Sequence, residues 1–227
     1  MKYGIICAMK VEAEKIIASM TDKKEEKIGY FTYYSGKLGK SEVVTVSGTY
    51  GKVNAAVAAE IMSHIYKVDA LINSGVGGGL GQGLKVGDIV LGSRAVQHDV
   101  DSSPIGDPVG MVSALEKIYF DTDEKLTKSL FDTAKGLGYS VRLGTVATGD
   151  VFVADDTRKN FIKTTFGAQV CDMEGCAVAQ VAYMNNLPCA ILRAISDSGD
   201  GDAAQDYPKF MAESAQKAAN ILIKAIS

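Results

Sequence analysis

Short, uninterrupted apolar segments, separated by helical patterns, are the feature that most constrains the fold of this chain. Residues 2–8 and 69–75 form two such segments, and each is too short to be a buried helix. Apolar runs of this length are typical of strands that are buried on both faces of a sheet. Further strands are predicted at residues 29–34, 42–46, 86–92, 140–148, 168–171 and 189–195.

Helices are predicted between these strands, where apolar residues recur at helical spacing. They are expected at residues 11–20, 52–65, 123–137, 175–185 and 208–226, and the second is apolar all round, which predicts a buried helix. Strands that alternate with helices indicate an α/β fold with a central mixed, largely parallel sheet flanked by helices. Because there is no linker or repeat, we expect a single domain over residues 1–227.

Composition excludes several classes of partner. The chain carries a formal net charge of −3 and lacks a basic stripe with interleaved aromatic residues, so we expect no nucleic-acid partner. No run reaches the roughly 18 apolar residues that span a bilayer, and no signal peptide is visible. The four cysteines have no Cys-x-x-Cys spacing, which fits free thiols in the cytoplasm.

Polar residues directly after the strands are the candidates for a ligand site, because ligands of α/β sheets lie beyond the carboxyl ends of the strands. These candidates lie at residues 9–12, 75–79, 148–153, 172–174 and 196–197, with Asp99 and Tyr207 as more distant possibilities.

Each individual motif allows a functional and a structural interpretation. The glycines at residues 75–79 fit neither the dinucleotide fingerprint nor a P-loop, so they indicate either a sharp turn or close approach of a ligand. Glu12 could simply stabilise a helix N-terminus. Arg193 and Asp197 lie at the end of an apolar strand, where charges must be paired or functional.

The two histidines do not indicate a metal site. His64 is predicted to be structural, on the buried helix, and His98 beside Asp99 favours local hydrogen bonding, since no second histidine has metal-ligand spacing. Asp200 and Asp202 lack the full spacing of a calcium loop and are interpreted as a solvated turn.

Six segments taken in order resemble one family over nearly the full length of the chain. They are residues 4–9 with Glu12, 73–79, 86–88, 148–152, 172–175 and 193–197. Together they resemble the 5′-methylthioadenosine/S-adenosylhomocysteine nucleosidases of the purine nucleoside phosphorylase and uridine phosphorylase superfamily. The resemblance implies a nucleoside phosphorylase-like fold, hydrolysis of an adenine nucleoside, a homodimer, and no metal or organic cofactor.

The resemblance also implies catalytic roles. Asp197 matches the acid that protonates adenine N7, and Glu12 matches the base that activates the attacking water. Arg193 matches an arginine near the water and the carboxylates. Glu174 matches the carboxylate that binds the ribose hydroxyls and favours a positively charged sugar.

Substrate-binding residues follow from the same resemblance. Met173 is expected to pack on the ribose, Phe152 to stack on adenine, and the backbone of Val153 to contact the base edge. Ser196 is expected to support the base or its acid. The remaining expected contacts to the sugar and its 5′ group come from Met9, Val76, Gly78 and Tyr207, the last where the family often has phenylalanine.

Two departures from the family pattern bear on the substrate. Val76 stands where many of these nucleosidases have serine, and Gly77 where they have alanine. Residues 101–119 match poorly, and in the family this region lines the 5′ pocket of the neighbouring subunit. The preferred 5′ substituent is therefore left open, with 5′-deoxyadenosine and aminodeoxyfutalosine as further candidate substrates.

Two other functions remain as alternatives. A purine nucleoside phosphorylase would need several cationic or N–H donors for phosphate. The segment after the first strand, residues 9–12, holds Lys10 but also Glu12, which would repel phosphate and favours water. A non-enzymatic nucleoside-binding protein would not need the acid and base pair of Asp197 and Glu12.

Overall fold

Ten strands form one mixed sheet in the computed structural model, which describes the whole chain from Met1 to Ser227. The strands are β1 (Lys2–Ile6), β2 (Thr21–Ile28), β3 (Phe31–Leu38), β4 (Ser41–Val46), β5 (Ala70–Gly79), β6 (Ile89–Gln97), β7 (Tyr119–Asp121), β8 (Val141–Thr148), β9 (Ala168–Asp172) and β10 (Cys189–Asp197). The helices are α1 (Lys10–Ala18), α2 (Gly51–His64), α3 (Glu124–Gly136), α4 (Asp156–Phe166), α5 (Gly175–Met184) and α6 (Ala203–Ile226).

Half of the sheet closes on itself. Strands β10, β6, β8, β9 and β5 pair in that order, and β10 then pairs with β5, so these five strands form a ring. The sheet continues outward from β5 through β1, β4, β3 and β2. Parallel pairs include β1 with β5 and β5 with β10, whereas β5 with β9 and β6 with β10 are antiparallel. This topology confirms the predicted α/β fold with a mixed sheet.

Helices cover the sheet on both sides. Helices α1, α3 and α6 bury one large apolar cluster against it, and α2 and α5 bury another on the opposite side. A third, smaller cluster includes Val153, Ile162 and Phe166 and lies beneath the loop that follows β8. None of the helices combines the length and apolar character that a bilayer crossing requires.

Most of the predicted elements are present, and the differences have physical causes. Strand β2 was not predicted because all of its side chains except Ile28 are charged or polar, and nearly all are exposed. Helix α4 and the three-residue strand β7 were also not predicted. Strand β5 runs on to Gly79, so the predicted turn at the glycine segment is wrong.

The second helix, α2, differs most from its prediction. Its apolar residues lie all round, but only one side packs against the sheet, and Val53 on the other side is 73% exposed. His64 is exposed rather than buried and lies 3.0 Å from Glu60 Oε2, one turn earlier. The helix therefore presents an apolar face to the surface.

Candidate active site

An open cleft lies at the carboxyl ends of the strands, close to where the ring of strands meets β1. Its lining residues are Ala8, Met9, Glu12, Tyr50, Val76, Gly77, Gly78, Val151, Phe152, Val153, Cys171, Asp172, Met173, Glu174, Ser196, Asp197 and Tyr207.

Glu12 is held by backbone groups on two sides. The Met9 N–H donates to its Oε2 atom over 2.8 Å, and the Val76 N–H donates to Oε1 over 3.0 Å. Burial raises the pKa of Glu12, although these bonds and the charge of Arg193 act in the opposite direction. The carboxylate is thus fixed in orientation, and proton uptake by it is made easier than in water.

Asp197 closes the other side of the cleft, at the end of β10. Its Oδ2 atom accepts a hydrogen bond from Ser196 Oγ over 2.8 Å, and Oδ1 accepts one from the Gly199 N–H over 2.9 Å. Burial raises its pKa, opposed by these two hydrogen bonds. A buried carboxyl whose pKa is raised can carry a proton closer to neutral pH than a free aspartate can.

Glu174 directly precedes α5 and is hydrogen-bonded to the start of a different helix, α2. Its Oε1 atom accepts a hydrogen bond from the Gly51 N–H, at the start of α2, over 2.9 Å. Burial and then the nearby charge of Asp172 raise the pKa of Glu174 to about 8. This carboxyl therefore takes up a proton much closer to neutral pH than a free glutamate does.

Arg193 lies behind the cleft wall and does not line the cleft. Its Nη2 atom contacts Asp172 Oδ2 at 2.5 Å and also donates to Asn73 Oδ1, and both members of the ion pair are almost fully buried. Asp172 is further held by Thr148 Oγ1 at 2.5 Å. Arg193 is thus paired with a carboxylate, one of the two alternatives predicted for it, and its charge also acts to lower the pKa of Glu12 and Glu174.

Glycines in β5 make room for these carboxyls. A Cβ atom at Gly75 would lie 2.4 Å from Glu12 Oε1, and one at Gly78 would lie 3.0 Å from Asp197 Oδ1. Side chains of the site therefore approach this glycine segment closely, whereas close approach of a ligand to it stays a prediction.

Aromatic side chains form the rim of the cleft. Phe152 and Tyr207 are packed edge to face with ring centroids 5.4 Å apart, and the Tyr207 hydroxyl donates to Met9 Sδ over 2.8 Å. Burial, followed by the charge of Glu12, raises the pKa of Tyr207 to about 12, so its hydroxyl keeps its proton. Tyr50 completes the rim and is 55% exposed.

Every predicted site residue except Arg193 lines the cleft, and Arg193 lies behind the cleft wall. Six further residues line the cleft for which the sequence predicts no role, namely Ala8, Tyr50, Gly77, Val151, Cys171 and Asp172. Asp172 could have been found, because a buried arginine requires a carboxylate partner. Tyr50 carries no such signal, since it precedes a helix like many surface residues.

His98 is a packing residue. It is buried beneath Gly149, where a Cβ atom would lie 2.5 Å from its Nε2 atom, and burial lowers its pKa. No group of three or more His, Cys, Asp or Glu side chains is arranged to hold a metal ion.

Comparison with known proteins matches the whole chain to the family that the sequence segments resemble. The sequence profile of the phosphorylase superfamily matches residues 2–227. The chain is 35% identical to the aminodeoxyfutalosine nucleosidase of Campylobacter jejuni, over 99% of this chain and 97% of that one. It is 36% identical to the 5′-methylthioadenosine/S-adenosylhomocysteine nucleosidase of Actinobacillus succinogenes, over 98% and 97% of the two chains.

A solved structure agrees with these sequence relatives. The fold matches that of the 5′-methylthioadenosine/S-adenosylhomocysteine nucleosidase from Neisseria meningitidis, in complex with methylthio-immucillin-A, with a TM-score of 0.96. The two chains are 32% identical, and the match covers 99% of this chain and 98% of that one. The chain therefore belongs to the phosphorylase superfamily, and within it to the 5′-methylthioadenosine/S-adenosylhomocysteine nucleosidases.

Proposed function

We propose that this protein hydrolyses the N-glycosidic bond of 5′-methylthioadenosine, S-adenosylhomocysteine and related 5′-substituted adenosines, and releases adenine. The observation that carries this proposal is the set of ionisable groups in the cleft wall. Four carboxyl groups line it, those of Glu12, Asp172, Glu174 and Asp197, and no lysine or arginine does. Such a wall suits a neutral nucleoside, a water nucleophile and a transition state with positive charge on the sugar.

Asp197 acts as the general acid. As the bond from ribose C1′ to adenine N9 breaks, the electron pair moves into the base, and a proton from the Asp197 carboxyl is transferred to N7. Ser196 and the Gly199 N–H then stabilise the carboxylate that is left, over the 2.8 and 2.9 Å hydrogen bonds already in place.

Glu12 acts as the general base. A water molecule beside it attacks C1′ and gives up a proton to the Glu12 carboxylate, so that a hydroxyl group replaces adenine on the sugar. The two backbone N–H groups occupy one lone pair on each oxygen of Glu12, which leaves the others free to face the water. General acid and base groups of this kind typically contribute roughly 10²–10⁴-fold to the rate.

Glu174 binds the ribose hydroxyls, with Met173 packed on the sugar. Positive charge that develops on the ribose favours the ionised form of Glu174 and would lower its pKa from about 8. Arg193, neutralised by Asp172, limits the repulsion among the carboxyls without presenting a positive charge to the developing cation.

Phe152 and Val153 provide the base-binding wall. We assign stacking on adenine to the Phe152 ring, which is 44% exposed at the cleft, and contacts with the base edge to the Val153 backbone. The backbone N–H and C=O groups of Val153 make no hydrogen bond within the chain, so both are available to a base.

Phosphorolysis is the alternative reaction, and the charges disfavour it. Lys10 is exposed and does not line the cleft, and the guanidinium of Arg193 already has a carboxylate partner. A phosphate dianion beside Glu12 would meet like charge and no cationic donor.

The 5′ group is expected to be enclosed by a second copy of the chain. No residue from 101 to 119 lines the cleft of its own chain, and Ile105 in this segment is 85% exposed. The exposed apolar face of α2, including Val53 and Val57, adjoins Tyr50 at the rim. We propose that this face and the 101–119 segment form a homodimer in which each chain completes the 5′ pocket of its partner.

We further propose that the protein works in the cytoplasm. Its four cysteines are all buried and unpaired, as is usual for proteins of a reducing compartment.

The test is release of adenine from 5′-methylthioadenosine in phosphate-free buffer. We expect release that is unchanged by added phosphate, with S-adenosylhomocysteine, 5′-deoxyadenosine and aminodeoxyfutalosine as comparison substrates for the 5′ pocket. Release only in the presence of phosphate would identify a phosphorylase instead. Binding of 5′-methylthioadenosine without release under either condition would indicate a binding protein.

A further inference from the structure

The start of α2 contacts two separate parts of the site. The Gly51 N–H donates to Glu174, and the next N–H, that of Lys52, donates to Asp150 Oδ1 over 2.8 Å. A Cβ atom at Gly51 would lie 2.9 Å from the same Asp150 oxygen, and Gly51 has a φ of +79°. Only glycine fits this close approach without strain. One helical turn therefore holds the ribose-binding carboxyl and the first part of the base-binding loop.

Asp99 reinforces this connection from the turn directly after β6. Its Oδ1 atom accepts a hydrogen bond from Lys52 Nζ over 2.7 Å, and its Oδ2 atom accepts one from the Asp150 N–H over 2.9 Å. The side chains of Lys52 and Asp99 are only 18% and 21% exposed. Burial raises the pKa of Asp99, but the hydrogen bonds from Lys52 and Asp150 outweigh it, and the net shift is downward. The ion pair is thus intact at neutral pH.

The loop beyond Asp150 has few other attachments. The backbone groups of Val151, Phe152 and Val153 make no hydrogen bonds within the chain. Val153 packs into the small apolar cluster below, but Phe152 projects into the cleft. The contacts to Asp150 are therefore the last hydrogen bonds that fix the loop before the aromatic ring.

We propose that Lys52 and Asp99 are positioning residues that hold the base-binding loop against the start of α2, so that Phe152 and Glu174 are aligned on one nucleoside. This inference rests on the proposed function. It assigns a role to Asp99, which touches no part of the cleft itself, and it links recognition of the base to recognition of the ribose.

Asp99→Asn tests the proposal most directly, because the amide keeps the shape and the ability to accept one hydrogen bond but loses the charge. We expect KM for 5′-methylthioadenosine to rise about tenfold, with kcat reduced about threefold or less, since a loosened loop weakens binding more than chemistry. Free adenine, which contacts only the base-binding wall, should bind about tenfold more weakly as measured by calorimetry.

Two further variants test the pairing. Lys52→Arg keeps the positive charge, so its KM should be close to that of the wild type. Lys52→Met should raise KM at least as much as Asp99→Asn does. The double variant Lys52→Met/Asp99→Asn should cost less than the product of the two single effects, because both remove the same contact. The matched control is Asp132→Asn, which removes an exposed 2.5 Å ion pair with Lys128 on α3 and should leave KM unchanged.

The outcomes separate this proposal from the proposed function. If the wild-type protein releases no adenine, the proposed function fails, while adenine binding by Asp99→Asn can still be compared with wild type. If the wild type is active and Asp99→Asn changes only thermal stability, with KM and adenine affinity within twofold of wild type, the positioning role is overturned.

Discussion

The floor and the rim of the cleft are built in opposite ways. On the floor, Glu12, Asp172 and Asp197 are almost fully buried, and two or more hydrogen bonds or ion contacts hold each one. On the rim, Phe152 and Tyr50 are about half exposed and are held mainly by packing. The comparison teaches that polar contacts within the chain fix the positions of the carboxyl groups, whereas the rim aromatic side chains keep exposed surface at the mouth of the cleft.

The largest effect should come from Asp197→Asn on the floor. The amide can keep its contacts, with Oδ1 accepting from Gly199 and Nδ2 donating to Ser196, so folding should be retained while the transferable proton is lost. We expect kcat for adenine release to fall on the order of 10³-fold, with 5′-methylthioadenosine still bound in calorimetry. Near-wild-type turnover would remove Asp197 from the acid role.

Glu12→Gln should also abolish most turnover, through loss of the base. It is a less selective test, because both Glu12 oxygens accept backbone N–H bonds and the amide must place its own NH₂ group against one of them. A decrease in stability should therefore accompany the loss of activity in Glu12→Gln but not in Asp197→Asn.

Asp172→Asn should have the largest effect on folding. It leaves the buried Arg193 guanidinium without its charged partner, so we expect the free energy of unfolding to fall by about 3–5 kcal/mol. Urea denaturation measures this, and the exposed Asp132→Asn should lose less than about 1 kcal/mol. Equal losses in the two variants would mean that the floor is no more tightly held than the surface.

The pH dependence of stability tests the fourth carboxyl of the cleft wall, that of Glu174. Its pKa is raised to about 8 in the folded protein, so the folded state binds this proton more tightly than the unfolded state does. The stabilisation is complete below the unfolded pKa and is lost as pH rises through about 8, by about 2 kcal/mol between pH 6 and 8. Glu174→Gln should flatten this part of the curve; an unchanged slope would contradict the raised pKa.

The smallest of these effects is expected on the rim. Phe152→Ala should raise KM about tenfold with little change in kcat, because stacking contributes to binding of the substrate as well as of the transition state. Phe161→Ala is the matched control, since Phe161 is equally exposed but does not line the cleft. A larger loss in kcat than in affinity would show that Phe152 belongs with the floor.

The sequence predicts the structure best where a buried apolar strand is followed by polar residues of the site. Apolar runs predicted β1 and β10, and the polar residues at their ends, Glu12 and Asp197, do meet in one cleft. The same logic failed for β2, because an exposed strand has no apolar pattern to detect. It also failed for α2, since an apolar residue such as Val53 can face either a core or a partner, and sequence periodicity does not distinguish the two.

The site was predicted less completely than the fold. Asp172 lies in one of the six family segments, but the sequence predicts no role for it, because its importance arises only when β9 and β10 bring it beside Arg193. Lys52, Asp99 and Asp150 are separated by 47 and 51 residues in sequence. No local pattern indicates that such distant residues share hydrogen bonds.

The closed ring of strands has a consequence for association between molecules. Because half of the sheet closes on itself, its free edges are reduced to β7, which is three residues long, and β2. Strand β2 carries the sequence Lys-Lys-Glu-Glu-Lys at residues 23–27, and short or charged edges oppose pairing with strands of other chains. Resistance to fibril formation is therefore concentrated in one surface strand, and neutral substitutions there should promote aggregation while leaving the cleft intact.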